Sequence, residues 1–372
     1  MKPNAFSRRD LLSSTFVAAP AVLHAQMPSD TLRIAVVGVG NRGSFHLRQL
    51  VRVPGATVVA VCDIIPERAA AAAQAVAAAG GSARTWSDFR RMLDEQKDID
   101  AVVLATPDWT HKDFDIAILE VGKHLYAEKP LALTPDDARA VVRAANQAKG
   151  VFQVGFQLRH DPAINAAERF IHSGGIGRVL MCHGMRHGGD LPRDIPWYFD
   201  KTKCGDIVVD QGIHILDLFT WAIGSHPVRA MGSGGINLFV NDPPGRTVMD
   251  NYSLVLDYPG GQHVNFSHHY FDPPGFSGIQ QRVFGTGGAI DLVTATWKPR
   301  ARRAEPIKLQ VPDAGEDSTY MALAAFVDSV KNRKKPVNDA ESALRSTLQA
   351  IMATRAIHER RIVSWEEVAG NA

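Results

Sequence analysis

The sequence predicts a two-domain chain: an α/β unit with a doubly wound parallel sheet over residues 31–155, then an α+β unit with a largely antiparallel open sheet over residues 156–372. Three observations carry this expectation. A strand pattern, a glycine loop and a helix pattern follow one another over residues 32–53, and strand and helix patterns then alternate to residue 155. From residue 177 the apolar period changes to two, with turn residues between the runs. At 372 residues the chain also exceeds one ordinary core.

The first unit opens with the apolar run at residues 32–37, which ends in Gly38-Val39-Gly40-Asn41-Arg42-Gly43 before a helix-compatible stretch at 44–53. In such a loop the first glycine permits the tight turn, the second lets backbone approach a pyrophosphate, and the third lets helix and strand pack closely. The helix N-terminus then faces the phosphates, so Gly38, Gly40, Asn41, Arg42 and Gly43 are candidate cofactor contacts. A second apolar run, 57–62, ends in Asp63, about twenty residues on, where a carboxylate accepts from ribose hydroxyls. That charge repels a 2′-phosphate and favours NAD; Arg68 nearby leaves NADP open.

A helix over 66–79, a strand over 101–105, a helix over 112–121, a short strand over 124–127, a helix over 135–149 and a last strand over 151–155 complete the unit. Ligands of doubly wound sheets sit beyond the carboxyl ends of the strands. Two motifs fall there: Ala105-Thr106-Pro107-Asp108-Trp109-Thr110-His111 and Ala127-Glu128-Lys129-Pro130-Leu131. Pro130 biases Lys129 toward an extended backbone, which sets an ammonium at the rim of the cleft. Most lysines are surface groups, but a strand-end position makes this one a functional candidate.

In the second unit Phe156-Gln157-Leu158-Arg159-His160 leads into a helix. Residues 177–187 alternate like a strand, 251–257 and 262–271 flank Tyr258-Pro259-Gly260-Gly261 as a hairpin, and another hairpin turns at Gly285-Thr286-Gly287-Gly288. Residues 206–223 and 318–359 read as helical, while 362–366 is too short to assign. On the helix over 206–223, Asp210, His214, Asp217 and Trp221 recur at helical spacing and form one stripe. Apolar residues flank the stripe on both sides, which predicts burial, and buried charges are costly unless paired or used.

Hydrophobic residues make up 45% and charged residues 22%, which excludes a disordered or fibrous class. The net charge is +2, and the short basic run at 331–335 reads as a solvated helix end, so nucleic acid and anionic membranes are not expected partners. Cys62, Cys182 and Cys204 are far apart and show no metal or redox spacing, and no metal is expected. Residues 1–25 have the layout of a signal peptide: Lys2, Arg8 and Arg9 precede an apolar stretch over 11–23, with small residues at Ala21 and Ala25. The core Ser7-Arg8-Arg9-Asp10-Leu11-Leu12 resembles a twin-arginine export signal. The apolar stretch is shorter than the ~20 residues of a membrane span, and no later segment is long enough. A periplasmic or otherwise exported mature chain without a membrane span is therefore expected.

Together these pieces resemble the Gfo/Idh/MocA oxidoreductase family over nearly the whole mature chain. The glycine loop at 38–43, the Ala105-Thr106-Pro107 turn with His111, and Glu128-Lys129-Pro130 match its first, Rossmann domain; Asp210-Gln211-Gly212-Ile213-His214 followed by Asp217 matches its second-domain signature. Cys204 stands where a glycine is common, a departure on which none of the chemistry depends. The resemblance implies an NAD(P)-dependent oxidoreductase acting on a secondary hydroxyl of a sugar-like substrate, with Lys129, Asp210 and His214 as the catalytic set. It places Thr106, Pro107, His111, Glu128 and Lys129 beside the cofactor and implies a homo-oligomer paired through open sheets.

In that chemistry His214 is the base of near-neutral pKa, Asp210 orients it, and Lys129 hydrogen-bonds the substrate oxygen as charge develops. Gln157, Arg159, Trp197 and Tyr198 are candidate substrate contacts, the two aromatics because their rings suit sugar faces. Along 262–271 the alternation sets His263, Asn265, Ser267 and His269 on one face and His268 and Tyr270 on the other. Export implies a retained, recycled cofactor, either exchanging hydride between two sugars or oxidising a glycoside transiently so that it eliminates and hydrolyses, as NAD-dependent glycoside hydrolases of the family do. A non-catalytic sugar or nucleotide sensor is a third reading, which the intact Lys129, Asp210 and His214 disfavour.

Overall fold

The computed structural model describes residues 31–312 and 316–370; the expected export signal at 1–25 lies outside the described residues. The first sheet comprises β1 (Leu32–Val37), β2 (Ala56–Cys62), β3 (Arg84–Trp86), β4 (Ala101–Leu104), β5 (His124–Ala127) and β6 (Phe152–Val154). Their order is β3-β2-β1-β4-β5-β6 with every pairing parallel. Helices α1 (Asn41–Leu50), α2 (Pro66–Ala78), α3 (Phe89–Glu95), α4 (His111–Glu120) and α5 (Pro135–Gln147) connect the strands. The central strands are apolar at nearly every position because both faces of a parallel sheet are covered. Ala35, Val37, Val102 and Leu104 enter one core, and Ile34, Val36 and Val103 the other.

β3 and α3 have no counterpart in the sequence expectation. A strand of three residues, two of them exposed, shows no period, and a seven-residue helix gives barely two turns. Helix α1 begins at Asn41 rather than residue 44, because the glycine loop runs directly into it with Gly40 as the N-cap.

The second sheet has nine strands: β7 (Val179–His187), β8 (Arg229–Gly235), β9 (Asn251–Asp257), β10 (His263–His269), β11 (Gly278–Gly285), β12 (Gly288–Asp291), β13 (Thr296–Pro299), β14 (Ile307–Lys308) and β15 (Val363–Ser364). The order is β14-β13-β12-β11-β7-β10-β9-β8-β15, antiparallel except where β10 lies parallel to β7. Tyr252, Leu254 and Leu256 of β9 and Val264, Phe266 and His268 of β10 are buried, while the alternate residues stay part-exposed. The sheet therefore keeps one open face, and His263, Asn265, Ser267 and His269 lie on it.

Beneath the covered face run α6 (Pro162–His172), the short α7 (Lys201–Cys204) and α8 (Ile213–Ile223). The helical tail divides into α9 (Ser318–Asn332) and α10 (Ala340–Glu359). Arg333 turns left-handed at φ 52, and Pro336 cannot extend a helix. Helix α10 joins, through Met352, Ala353 and Ala356, the core that Ala35, Val37, Val102 and Leu104 enter and that continues into the second unit. Helix α9 instead returns to the first sheet, where Ala322, Leu323, Phe326 and Val327 share a core with Ile34, Val36 and Tyr126. The second half of the chain thus supplies a helix to the first layer.

Candidate active site

A cleft of ≈ 810 Å³ opens beyond the carboxyl ends of β1, β2, β4 and β5 and is closed from the second unit by Trp197, Asp210 and His214, among others. The order β2-β1-β4 puts its floor at the switch point of the sheet, where crossovers leave in opposite directions. A Cβ on Gly38 would stand 2.7 Å from the Ala105 carbonyl oxygen, and one on Gly43 only 1.7 Å from that of Gly38. Gly38 is also left-handed at φ +78, so the turn admits glycine alone. Gly40 faces the open cleft, and the first, unpaired amides of α1 point the same way.

At the end of β2, Asp63 Oδ2 accepts from the Val39 amide and Oδ1 from the Ile65 amide, both at 2.9 Å. The carboxylate is thereby knitted to the glycine loop while bordering the cleft. These donors and this acid fit a dinucleotide. Asp63→Ser is expected to weaken NAD relative to NADP by about tenfold or more, the range of a lost hydrogen bond to a charged group. Titrating both dinucleotides against both proteins measures it; an unchanged preference would place Asp63 away from the ribose.

Lys129, just past β5, donates from Nζ to the Asp210 carbonyl at 2.7 Å and to Asp210 Oδ1 at 2.9 Å. Burial would lower the Lys129 pKa, but Asp210, Asp108 and Glu128 around it hold it above the ordinary lysine value. Asp108, in the turn after β4, is buried, and burial followed by the neighbouring Asp210 pushes its carboxyl well above the usual range. Its Oδ2 has no partner among the described residues. His214 lines the cleft; burial first, then Lys129, holds its ring well below the usual histidine pKa, and its Nδ1 is buried without a partner. Gln157, also on the cleft, keeps a buried Oε1 without a partner. Three groups on the cleft wall thus present polar atoms with no partner among the described residues.

Several expectations need correction. Asp210 does not orient His214, because its carboxylate goes to Lys129. The chain over Val208–Gly212 forms a π-helical turn ahead of α8. Arg159 is not a substrate contact: it is buried and forked onto Asp217, Nε to Oδ2 at 2.8 Å and Nη2 to Oδ1 at 2.6 Å. Trp221, the last residue of the stripe, lies under that guanidinium at 5.1 Å. His111 does not border the cleft; its Nδ1 lies 2.7 Å from the Pro130 carbonyl and its Nε2 2.9 Å from that of Thr106, tying together the two strand-end turns.

Of the remaining expected contacts, Gly38, Gly40, Asn41, Arg42, Asp63, Thr106, Pro107, Glu128 and Lys129 border the cleft, and Gly43 stands behind it. Glu128 is largely engaged with the scaffold, accepting from Arg42 Nε at 2.7 Å and lying 2.6 Å from His46 Nε2. Burial opposes its charge, but Arg42 and His46 hold its carboxyl well below the usual range. Trp197 lines the cleft edge-on to Trp109, with ring centroids 5.6 Å apart. Tyr198 borders it too, with its hydroxyl bonded to Tyr270 at 2.8 Å. Sequence reasoning missed Asp108 and Arg186 as site residues. Asp108 had a readable signal in its strand-end turn, whereas Arg186 reaches the cleft only through the placement of β7.

Comparison with known proteins gives two family matches. A model described as "Oxidoreductase family, NAD-binding Rossmann fold" covers residues 32–156, and one described as "GFO/IDH/MocA C-terminal domain" covers residues 164–291. The chain is 37% identical over 302 residues to inositol 2-dehydrogenase 2 of Saccharopolyspora erythraea, covering 80% of this chain and 84% of that protein. It is 32% identical over 319 residues to scyllo-inositol 2-dehydrogenase (NAD(+)) of Bacillus subtilis, covering 82% and 88%. The fold matches that of scyllo-inositol dehydrogenase from Lactobacillus casei, solved with NAD(H) and scyllo-inositol, at a TM-score of 0.76 and 20% identity over 90% of this chain and 99% of that one.

Proposed function

The chain belongs to the Gfo/Idh/MocA family of NAD-binding oxidoreductases, and from that premise we propose that it oxidises a secondary ring hydroxyl of a cyclic polyol or sugar. The observation that carries this reading is the meeting of Lys129, Asp210, Asp108 and His214 on one wall of the cleft that the glycine loop floors. The names of its inositol dehydrogenase relatives support the substrate class.

NAD, when bound, supplies the hydride acceptor; the glycine loop, the α1 N-terminus and Asp63 are the groups that would hold it. His214, neutral and unpartnered at Nδ1, takes the hydroxyl proton as the general base. Lys129 remains an ammonium because Asp210 pairs with it, and it steadies the oxygen as negative charge develops. Asp108, whose carboxyl burial and then Asp210 push well above the usual range, carries less charge against Asp210 than a free carboxylate would, which leaves Asp210 to serve Lys129. Gln157 and Trp197 grip the ring, the first by its free acceptor and the second by its face.

The export pattern at residues 1–25 favours a version in which the cofactor stays bound and is recycled. The open face of the second sheet suits pairing of two subunits. The deciding assay gives the purified chain a panel of inositols, pyranoses and glycosides, with product analysis beside absorbance of reduced nicotinamide. Oxidised ring products are expected from at least one polyol, with turnover exceeding release of reduced cofactor. Free sugar plus aglycone would favour the hydrolase reading instead, and reduced cofactor released in step with product would refute recycling.

A further inference from the structure

On the open face of the second sheet, the parallel pairing of β7 with β10 sets His187 beside His269. Their rings stack with centroids 3.8 Å apart, and Phe271 stacks on His269 at 4.4 Å. Asp272, just past β10, is pinned by its amide bond to the Gly188 carbonyl at 2.9 Å. It turns its carboxylate back toward both rings: Oδ1 lies 3.3 Å from His269 Nε2, and Oδ2 lies 4.0 Å from His187 Nδ1. The three side chains are only 13–19% exposed. Asp272 Oδ2 is buried without a hydrogen-bond partner among the described residues. None of the three lines the cleft described above.

We infer that His187, His269 and Asp272 form a binding site for a divalent transition-metal ion of the Zn²⁺ class, held by His187 Nδ1, His269 Nε2 and the Asp272 carboxylate, with a further position open to solvent. Two imidazoles and one carboxylate are a borderline donor set that suits Zn²⁺ and its neighbours. An ion about 2.0–2.2 Å from each donor in tetrahedral geometry requires donors roughly 3.3 Å apart. The His269–Asp272 pair already meets that spacing, the His187–Asp272 gap of 4.0 Å is too long for a hydrogen bond, and all three ligand atoms lie within 4.8 Å of one another, so the stacked rings open when both nitrogens take one ion. An ion there would satisfy the orphaned Oδ2. The other nitrogen of His187, Nε2, lies 2.9 Å from Ser267 Oγ, an outer contact of the kind that fixes the tautomer and aim of a metal-binding ring.

The site also has a mechanical consequence. Arg186, next to His187, borders the cleft and donates to Gln211 at 3.2 Å; Tyr270, next to His269, bonds the cleft residue Tyr198. An ion clamping the ends of β7 and β10 would steady that wall.

The experiment uses the tag-free chain, stripped with a chelator and returned to buffer. Zn²⁺ is titrated by calorimetry, and Co²⁺ by its visible absorption. About one equivalent should bind at micromolar concentration or tighter, with a Co²⁺ band of low-symmetry coordination. His269→Ala and the isosteric Asp272→Asn should each weaken binding by at least tenfold, with circular dichroism and NAD binding showing that both variants are folded. Absence of saturable binding by the parent chain, or equal affinity in both folded variants, overturns the site.

Discussion

Lys129→Met is expected to lower turnover by about 10²–10⁴-fold while changing NAD affinity little, because the lost ammonium acts where charge develops on the substrate oxygen. A pH profile adds a readout that simple damage to the fold would not produce. In the parent enzyme, burial and then Lys129 press His214 below its ordinary 6.5. Its base form therefore survives acidification past pH 6.5, and activity falls only as pH drops through the depressed value. Removing Lys129 removes the largest of the charges that depress it, so the acid limb of the residual activity should move to higher pH. His214→Ala should lose turnover on a similar scale and lose that limb altogether. Near-parental kcat in either variant, or an unmoved limb in Lys129→Met, would take these residues out of the chemistry.

Arg159→Ala is expected to cost about 3–5 kcal/mol of stability, the usual effect of removing one partner from a buried ion pair. The Asp217 carboxyl would be left at 1% exposure with the Ser346 hydroxyl, at 2.6 Å, as its remaining side-chain hydrogen-bond partner among the described residues. Arg159 and Asp217 join the segment after β6 to α8, so the loss falls on the join between the two units. Substituting both residues, as Arg159→Met with Asp217→Leu, should recover much of the loss, because a matched apolar pair leaves no buried charge behind. Urea unfolding of the three proteins measures this. A single variant within 1 kcal/mol of the parent would refute the stabilising role of the buried pair.

How much could be read from sequence depended on the range of the signal. The strand, glycine loop and helix at the start, and the acid after β2, are local: each residue type is required by the backbone within a few positions of it, so spacing alone identifies them. Lys129 was placed by the end of its strand. Asp210 and His214 were placed by their helical stripe and by resemblance. The stripe was real as a pattern and misleading as geometry, since Asp210 turns its carboxylate to Lys129 rather than to His214. Asp108 was within reach of sequence reading. Its meaning was not, because its raised carboxyl pKa comes from burial and from Asp210, which arrives from the other unit.

By itself, the sequence determined the fold class, the cofactor cradle and the chemical types gathered at the cleft, since these follow from short-range steric and hydrogen-bonding demands. Only the tertiary structure decided how the charges pair: Lys129 with Asp210, Arg159 with Asp217, Glu128 with Arg42 and His46. It also decided that His187 and His269 lie side by side, through a parallel pairing of strands that are far apart in the chain. The physical reason is the same in each case. A buried charge is stabilised by whichever opposite group packing brings within about 3 Å, and packing sums contacts over the whole chain, which no local pattern encodes.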